Sequence, residues 1–363
     1  MRRGLSARRA LPHAGDAAEE TERPDGISRG LHLDLPLLDL AEPPDRVAAE
    51  RADMVRAGRQ PAFPGPDGAV PSVVPVSVVI CTKDRGLLLG QLVDRLLALP
   101  AGRLAEVIVV RNGTTNPFAL RAQERMARDG RVVLLEHGGE FNFSAQCNRG
   151  AARATGNSIL LLNDDIVPAT PGWLDALLAP FADPKVAIAG PLLLYPDERV
   201  QHAGMFLGHR GTGGHALRFA RLPEEDYMFL ATAPRYVSAV TGAAMLIERG
   251  FWEEAGGLDI SFAKTLQDVD LCMRAAAAGR RVVYAPNAVL VHMESVSARS
   301  TYADPATASA RRRELAAFGR KLAGFGRDPF HNTAFDTDDE TLHRLVARQR
   351  DDGQASRANE DMR

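Results

Sequence analysis

Two adjacent carboxylates, Asp164 and Asp165, follow the apolar run Ile159 to Leu162. Side by side at the end of a buried strand, they repel each other unless a cation or hydrogen-bond donors stand between them. Hard oxygen ligands of this kind suit Mg2+ or Mn2+ bridged to phosphates. Further on, Gln267-Asp-Val-Asp270 opens an Ala-rich amphipathic stretch. Asp268 there is read as a general base placed by the start of a helix; capping that helix is the competing reading. His292 closes the apolar run Val289-Leu-Val, with Glu294-Ser295 just beyond. A lone histidine at a strand end is more often structural, but its spacing after the Asp268 helix makes it a candidate. Polar clusters also follow two other apolar runs, as Thr82-Lys-Asp-Arg85 and Arg111-Asn-Gly113. A pocket, a cation beside a departing diphosphate and a positioned base are what group transfer from a nucleoside diphosphate to a hydroxyl requires.

These residues need a scaffold that gathers strand ends. Val76 to Cys81 is a continuous apolar run, as expected of a strand buried on both faces. Leu89, Leu92, Val93, Leu96 and Leu97 then recur at helical spacing. Strands are predicted at 106–110, 132–135 and 158–162, alternating with helices at 117–126 and 143–154. This order implies an α/β fold with a mainly parallel sheet and helices on both faces, whose sites form at the carboxyl ends of the strands. Beyond Asp165 the rhythm changes. A helix is expected at 173–178, strands at 186–194, 243–247, 282–284 and 289–292, and helices at 268–278 and 305–322. Residues 200–235 read as irregular.

The 363 residues carry a formal net charge of -2, so no basic field calls for nucleic acid. The 3 cysteines, Cys81, Cys147 and Cys272, form no metal or disulfide spacing and read as small core residues. This usage fits a reducing cytosol. No apolar run approaches the ~18 residues of a membrane span. Residues 1–30 have a composition that cannot bury a core and read as disordered. A short strand is expected at 31–40, a helix around 46–57 and a Pro- and Gly-rich linker over 61–75. Arg2, Arg3, Arg8 and Arg9 would attract anionic lipid, which adds peripheral contact with the inner face of the cell membrane to a cytoplasmic location. The last ~25 residues read as loose.

Taken in order, Val76-Ser-Val-Val-Ile-Cys-Thr-Lys-Asp-Arg85, Val107-Ile-Val-Val-Arg-Asn-Gly113, Phe141-Asn-Phe-Ser-Ala145, Leu161-Leu-Asn-Asp-Asp165, Gln201-His-Ala-Gly204, Gly256-Gly-Leu-Asp259, Gln267-Asp-Val-Asp-Leu-Cys272 and His292-Met-Glu-Ser295 resemble the family 2 glycosyltransferases of GT-A fold. The similarity runs from about Val76 to Asn332. It is strongest to the branch associated with bacterial O-antigen and rhamnan-type polysaccharides, whose C-terminal signature Arg327-Asp-Pro-Phe-His-Asn332 resembles.

The resemblance implies an inverting, metal-dependent enzyme that takes a nucleotide-diphosphate-sugar donor and a glycan or lipid-linked acceptor. It implies that Thr82 and Asp84 line the nucleoside pocket, Asp164 sits near the ribose, Asp165 holds the divalent metal, His292 lies near the metal or diphosphate, and Asp268 is the base. Arg85, Arg111, Asn112 and Asn148 complete the substrate-binding candidates. Arg111 stands where the family usually has Asp, and a cation cannot accept a base N–H. The expected organisation is an extension over 1–74, a GT-A domain over 75–300 (nucleotide half 75–165, acceptor half 166–300), and a C-terminal helix and tail over 301–363. A nucleotidyltransferase shares this sheet type but needs a Gly-rich basic loop after the first strand, which Thr82 to Arg85 lacks. A non-catalytic sugar-nucleotide-binding protein is favoured only by Arg111.

Overall fold

The structure is a computed structural model that describes residues 74–293, 305–332 and 334–343. The expected N-terminal elements, most of the linker, the four arginines, Glu294-Ser295 and the end of the tail lie outside the described residues.

The first half follows the predicted alternation. Strands β1 (Val76–Thr82), β2 (Leu104–Arg111), β3 (Val132–Glu136) and β4 (Ser158–Leu162) alternate with helices α1 (Leu87–Leu97), α2 (Pro117–Met126) and α3 (Phe143–Ala151). β1 pairs in parallel with β2 on one side and β4 on the other. The chain therefore reverses its direction of travel across the sheet between β1 and β4, and such switch points are where open α/β sheets bind ligands.

The second half adds β5 (Ile166–Pro168), α4 (Trp173–Leu178), β6 (Val186–Leu194), β7 (Val200–His202), β8 (Met205–Leu207), β9 (Gly213–His215), β10 (Arg235–Tyr236), β11 (Ala244–Glu248), α5 (Arg249–Ala255), α6 (Gln267–Ala277), β12 (Arg281–His292) and α7 (Pro305–Phe325). The main sheet runs β10-β12-β6-β11-β4-β1-β2-β3, with β5 on β12 and β7 on β6. β11 lies antiparallel between β4 and β6, so the sheet is mixed although mostly parallel. Two apolar cores flank it, one over each face.

Several expectations change. The strands expected at 282–284 and 289–292 are one strand, β12, whose register against β6 shifts between Ala285 and Val289. Residues 200–235 are not all irregular: β7 to β10 lie there, each 2 or 3 residues long. Part of the expected loose tail is packed: Leu342 is buried, and Glu340 accepts from the His215 N–H at 2.8 Å. Cys81 and Cys147, distant in sequence, bring their sulfurs to 3.6 Å where α3 lies on β1. All three cysteines are free thiols.

Candidate active site

Ladder register explains why the candidates meet. Thr82, Arg111 and Glu136 are in-register partners at the carboxyl ends of β1, β2 and β3. β4 ends beside β1, which sets Asp164 next to Thr82 across the switch point. The Thr82 hydroxyl donates to Asp164 Oδ2 at 2.6 Å. Burial above all pushes the Asp164 carboxyl up to about 6. The Thr82 hydroxyl pulls against this, the Asp165 charge adds to it, and Arg85 and His292 favour the ionised form.

Asp165 is buried, and β5 begins at the next residue. β5 pairs antiparallel with the end of β12, with His292 opposite Ile166. This pairing carries His292 to the carboxylates: its Nε2 lies 3.1 Å from Asp165 Oδ1 and 3.3 Å from Asn163 Nδ2. The Met293 N–H donates to the Asp165 carbonyl at 3.1 Å, closing the corner. On the other side of the ring, Nδ1 lies 2.7 Å from Gln201 Oε1. An amide oxygen only accepts, so Nδ1 carries a proton. Nε2 thus stands between the Asn163 amide, which can donate to it, and a carboxylate oxygen. A ring nitrogen and a carboxylate oxygen 3.1 Å apart are a pair of ligand donors that a cation can bridge.

That arrangement fits a divalent metal. Among the described residues no group of three or more His, Cys, Asp or Glu is placed to hold an ion. Mg2+ and Mn2+ need fewer protein ligands when phosphate oxygens and water complete the shell. Asp165 and His292 would supply two donors, and Gln201 would fix the tautomer behind them. Gln201 is the residue that sequence reasoning missed. Its motif, Gln201-His-Ala-Gly204, was visible without a role, because its partner lies 91 positions away.

Asp268 occupies the second position of α6. Its Oδ1 accepts from the Val269 N–H at 2.9 Å and its Oδ2 from the Gly242 N–H at 2.8 Å. Gly242 precedes Ala243, whose carbonyl accepts from the Asn163 N–H at 2.9 Å. Asp268 therefore shares one strip of sheet end with Asn163-Asp164-Asp165. Burial raises its carboxyl above the usual carboxylate range, and the amides of Gly242 and Val269 hold it partly back. These two amides and its own N–H leave one of the carboxylate's four acceptor sites open. Asp270, on the same turn, is not so placed: Lys321 at 2.5 Å and Arg274 at 2.9 Å hold both its oxygens.

The remaining candidates separate by what they touch. Asp84 Oδ1 accepts from the N–H groups of Thr115 at 2.7 Å and Asn116 at 2.8 Å, so it ties the β1–α1 loop to the start of α2. The Asn116 amide contributes most to holding its carboxyl below the usual range. Arg111 forms an ion pair with Glu136, its ladder partner, while its buried Nε has no partner among the described residues. Asn112 is buried and donates its N–H to the Thr82 carbonyl at 3.0 Å. Arg85 acts on Asp164 through its charge. Asn148 stands apart: Nδ2 donates to the Leu258 carbonyl at 2.8 Å and Oδ1 accepts from the Leu258 N–H at 2.9 Å. Both ends of its amide are engaged by the Gly256-Gly-Leu-Asp259 loop. A cleft of about 980 Å3 opens between α1 and α2, but Asp84 alone of the site candidates lines it. Its volume does not mark the chemistry.

A family model described as Glycosyltransferase like family 2 matches residues 72–320. The chain belongs to this family. Over 228 residues it is 38% identical to the O-antigen biosynthesis protein RfbC of Myxococcus xanthus, covering 62% of this chain and 18% of that protein. An N-acetylglucosaminyl-diphospho-decaprenol L-rhamnosyltransferase of Mycobacterium tuberculosis is 29% identical over 230 residues, covering 58% of this chain and 73% of its own length. The chain thus spans about a fifth of the length of RfbC. The solved structure of GalNAc-T7 with UDP, GalNAc and Mn2+ matches with a TM-score of 0.52 at 16% identity, covering 77% of this chain and 57% of that one. At that identity the likeness shows the fold alone, which is of GT-A type. No described helix is long and apolar enough to cross a membrane.

Proposed function

We propose that this family 2 member transfers a sugar from a nucleoside-diphosphate donor to a hydroxyl of a glycan or lipid-linked acceptor, with inversion, in the assembly of a cell-surface polysaccharide. The observation that carries this reading is the position of Asp268. Its half-buried carboxylate is tied through Gly242 and Ala243 to the strand end that bears Asp164 and Asp165. The names of the relatives support the polymer: one is an O-antigen biosynthesis protein and another a rhamnosyltransferase acting on a decaprenol diphosphate.

In this reading the acceptor hydroxyl loses its proton to Asp268 as its oxygen attacks the anomeric carbon. The bond from that carbon to the diphosphate breaks on the opposite face, and its electron pair leaves with the nucleoside diphosphate. Burial of Asp268 brings its basicity toward the working pH, which is where a general base is most effective. Thr82 orients Asp164 at the mouth of the donor pocket. Asp165 and His292 would hold a divalent cation, which when bound supplies the counter-charge for the leaving diphosphate. Gln201 keeps the His292 lone pair directed at that position.

A thermal-shift panel of UDP, dTDP, GDP, CDP and ADP, each with and without MnCl2 or MgCl2, tests the donor class. Ligand at 100 times its Kd stabilises by about 2.7 kcal/mol. A rise with one nucleoside diphosphate that requires the metal is the expected result. No rise with any member of the panel would contradict the reading.

A further inference from the structure

The loop between α5 and α6, residues 256–266, delivers the backbone into Asp268 and is gripped from two sides. On one side the start of α3 takes hold. The Phe143 N–H donates to the Ala263 carbonyl at 2.7 Å, the Ser144 hydroxyl to the Phe262 carbonyl at 2.6 Å, and Asn142 Nδ2 to the Ile260 carbonyl at 2.9 Å. On the other side stands Glu314 of α7. Its Oε1 accepts from the Ala263 N–H at 2.9 Å and its Oε2 from the Thr265 hydroxyl at 3.0 Å. Ala263 is therefore fixed through both its amide and its carbonyl.

The next residue but two, Leu266, has φ +70. A residue with a branched side chain in the left-handed region is strained, and such strain persists only where the surroundings over-determine it. The Leu266 carbonyl accepts from the Asp270 N–H at 2.8 Å, which closes the first turn of α6. Asp268 sits inside that turn. Any relaxation of Leu266 toward negative φ opens the turn and swings the Asp268 carboxylate away from Gly242.

Glu314 is 5% exposed and both its oxygens are used on this loop. A carboxylate is a costly group to bury, and here it supplies two strong acceptors at once. It is also part of a stripe. Phe318, one turn on, lies edge-on to the Phe262 ring at 6.2 Å, and Lys321 reaches Asp259 at 3.0 Å and Asp270 at 2.5 Å. Spaced at three and four residues, Glu314, Phe318 and Lys321 share one helix face. That face runs along the loop and onto α6.

We infer that Glu314 is a positioning residue for Asp268: it locks the 256–266 loop so that Leu266 keeps its left-handed conformation and α6 presents its carboxylate to the acceptor. The inference rests on the reading of Asp268 as the base, and the test separates the two. Turnover is read as nucleoside diphosphate released from the donor that the panel selects, with water or acceptor as the nucleophile. Affinity is read by titrating the corresponding nucleoside diphosphate with MnCl2.

Glu314→Ala lowers kcat ~10- to 100-fold, the range in which a misplacement of about 1 Å acts, and leaves the Kd within twofold of wild type. Glu314→Gln keeps an acceptor for the Ala263 N–H and recovers kcat to within threefold. In the Asp268→Asn background, Glu314→Ala has no further effect on turnover, because both changes act through one group. If Glu314→Ala does not fold, Thr265→Val removes only the hydroxyl contact and shows the same split at smaller size. The inference is overturned if kcat stays within threefold in Glu314→Ala, if Kd weakens in proportion to kcat, or if the double variant loses the product of the two effects. If Asp268→Asn alone retains turnover, it is the base assignment that fails.

Discussion

Replacing Asn148 with alanine separates a structural role from a ligand contact. The two hydrogen bonds to Leu258, at 2.8 and 2.9 Å, satisfy both backbone polar groups of a residue that is 3% exposed. The fit around them is close: a Cβ on Gly257, whose φ is +74, would lie 2.7 Å from Asn148 Oδ1. Truncation leaves a buried N–H and a buried C=O unpaired at ~1–3 kcal/mol each. A loss of about 3 kcal/mol is expected after some entry of water. At ~2–4 °C per kcal/mol for a domain of this size, Tm falls by about 6–12 °C. Asn148→Asp falls further, since a carboxylate then faces the Leu258 carbonyl. Differential scanning calorimetry gives the shift, and titration with the selected nucleoside diphosphate below the new Tm gives an unchanged Kd. A Tm within 2 °C of wild type, or a Kd weakened tenfold in a folded variant, refutes the assignment.

Three further outcomes follow from the same contacts. Asp165→Ala abolishes the part of the nucleotide-induced thermal shift that depends on MnCl2; an undiminished shift removes Asp165 from the metal site. Gln201→Leu frees the His292 ring, and loss of such a supporting bond weakens metal affinity ~10- to 100-fold, measured by Mn2+ titration. At Asp259, burial works against the charge, but the Ser261 hydroxyl and amide and the Lys321 ammonium outweigh it and hold the carboxyl down to about 2. A carboxyl lowered from its unfolded value of ~3.9 contributes stability above about pH 4 that is lost as pH falls through about 2. Lys321→Met therefore shifts the Asp259 titration upward, which carboxyl NMR detects; an unmoved midpoint contradicts the ion pair.

The parts of the fold that were legible in sequence are those where one element states its own pattern. β1 and β4 are almost wholly apolar because neighbours and helices cover both faces, and polar residues gather at their carboxyl ends, at Thr82 and Asn163. β5 was missed because it is the 3-residue run Ile-Val-Pro, which has no periodicity of its own and exists through pairing with β12. β7 to β10 were missed for the same reason. At the site, adjacency of Asp164 and Asp165 is a one-dimensional signal, and so is an aspartate opening a helix. The roles of Gln201, Glu314 and Asn148 are not, since each is defined by a partner at a separation of 91, 51 and 110 residues. Arg111 shows the limit from the other direction: its residue type was readable, but its ion pair with Glu136 depends on strand register.

The most direct measurement is donor affinity and turnover on one variant, Asp268→Asn. Asparagine keeps the size of the side chain and, through its oxygen, one of the two bonds to Gly242 and Val269, so the start of α6 survives. It cannot take a proton. Loss of a positioned base costs ~10²–10⁴-fold. The account predicts a Kd for the selected nucleoside diphosphate with MnCl2 within twofold of wild type, together with turnover reduced at least a hundredfold. Turnover within threefold of wild type in a folded protein that binds its donor normally would contradict it and leave Asp268 as the cap of its helix.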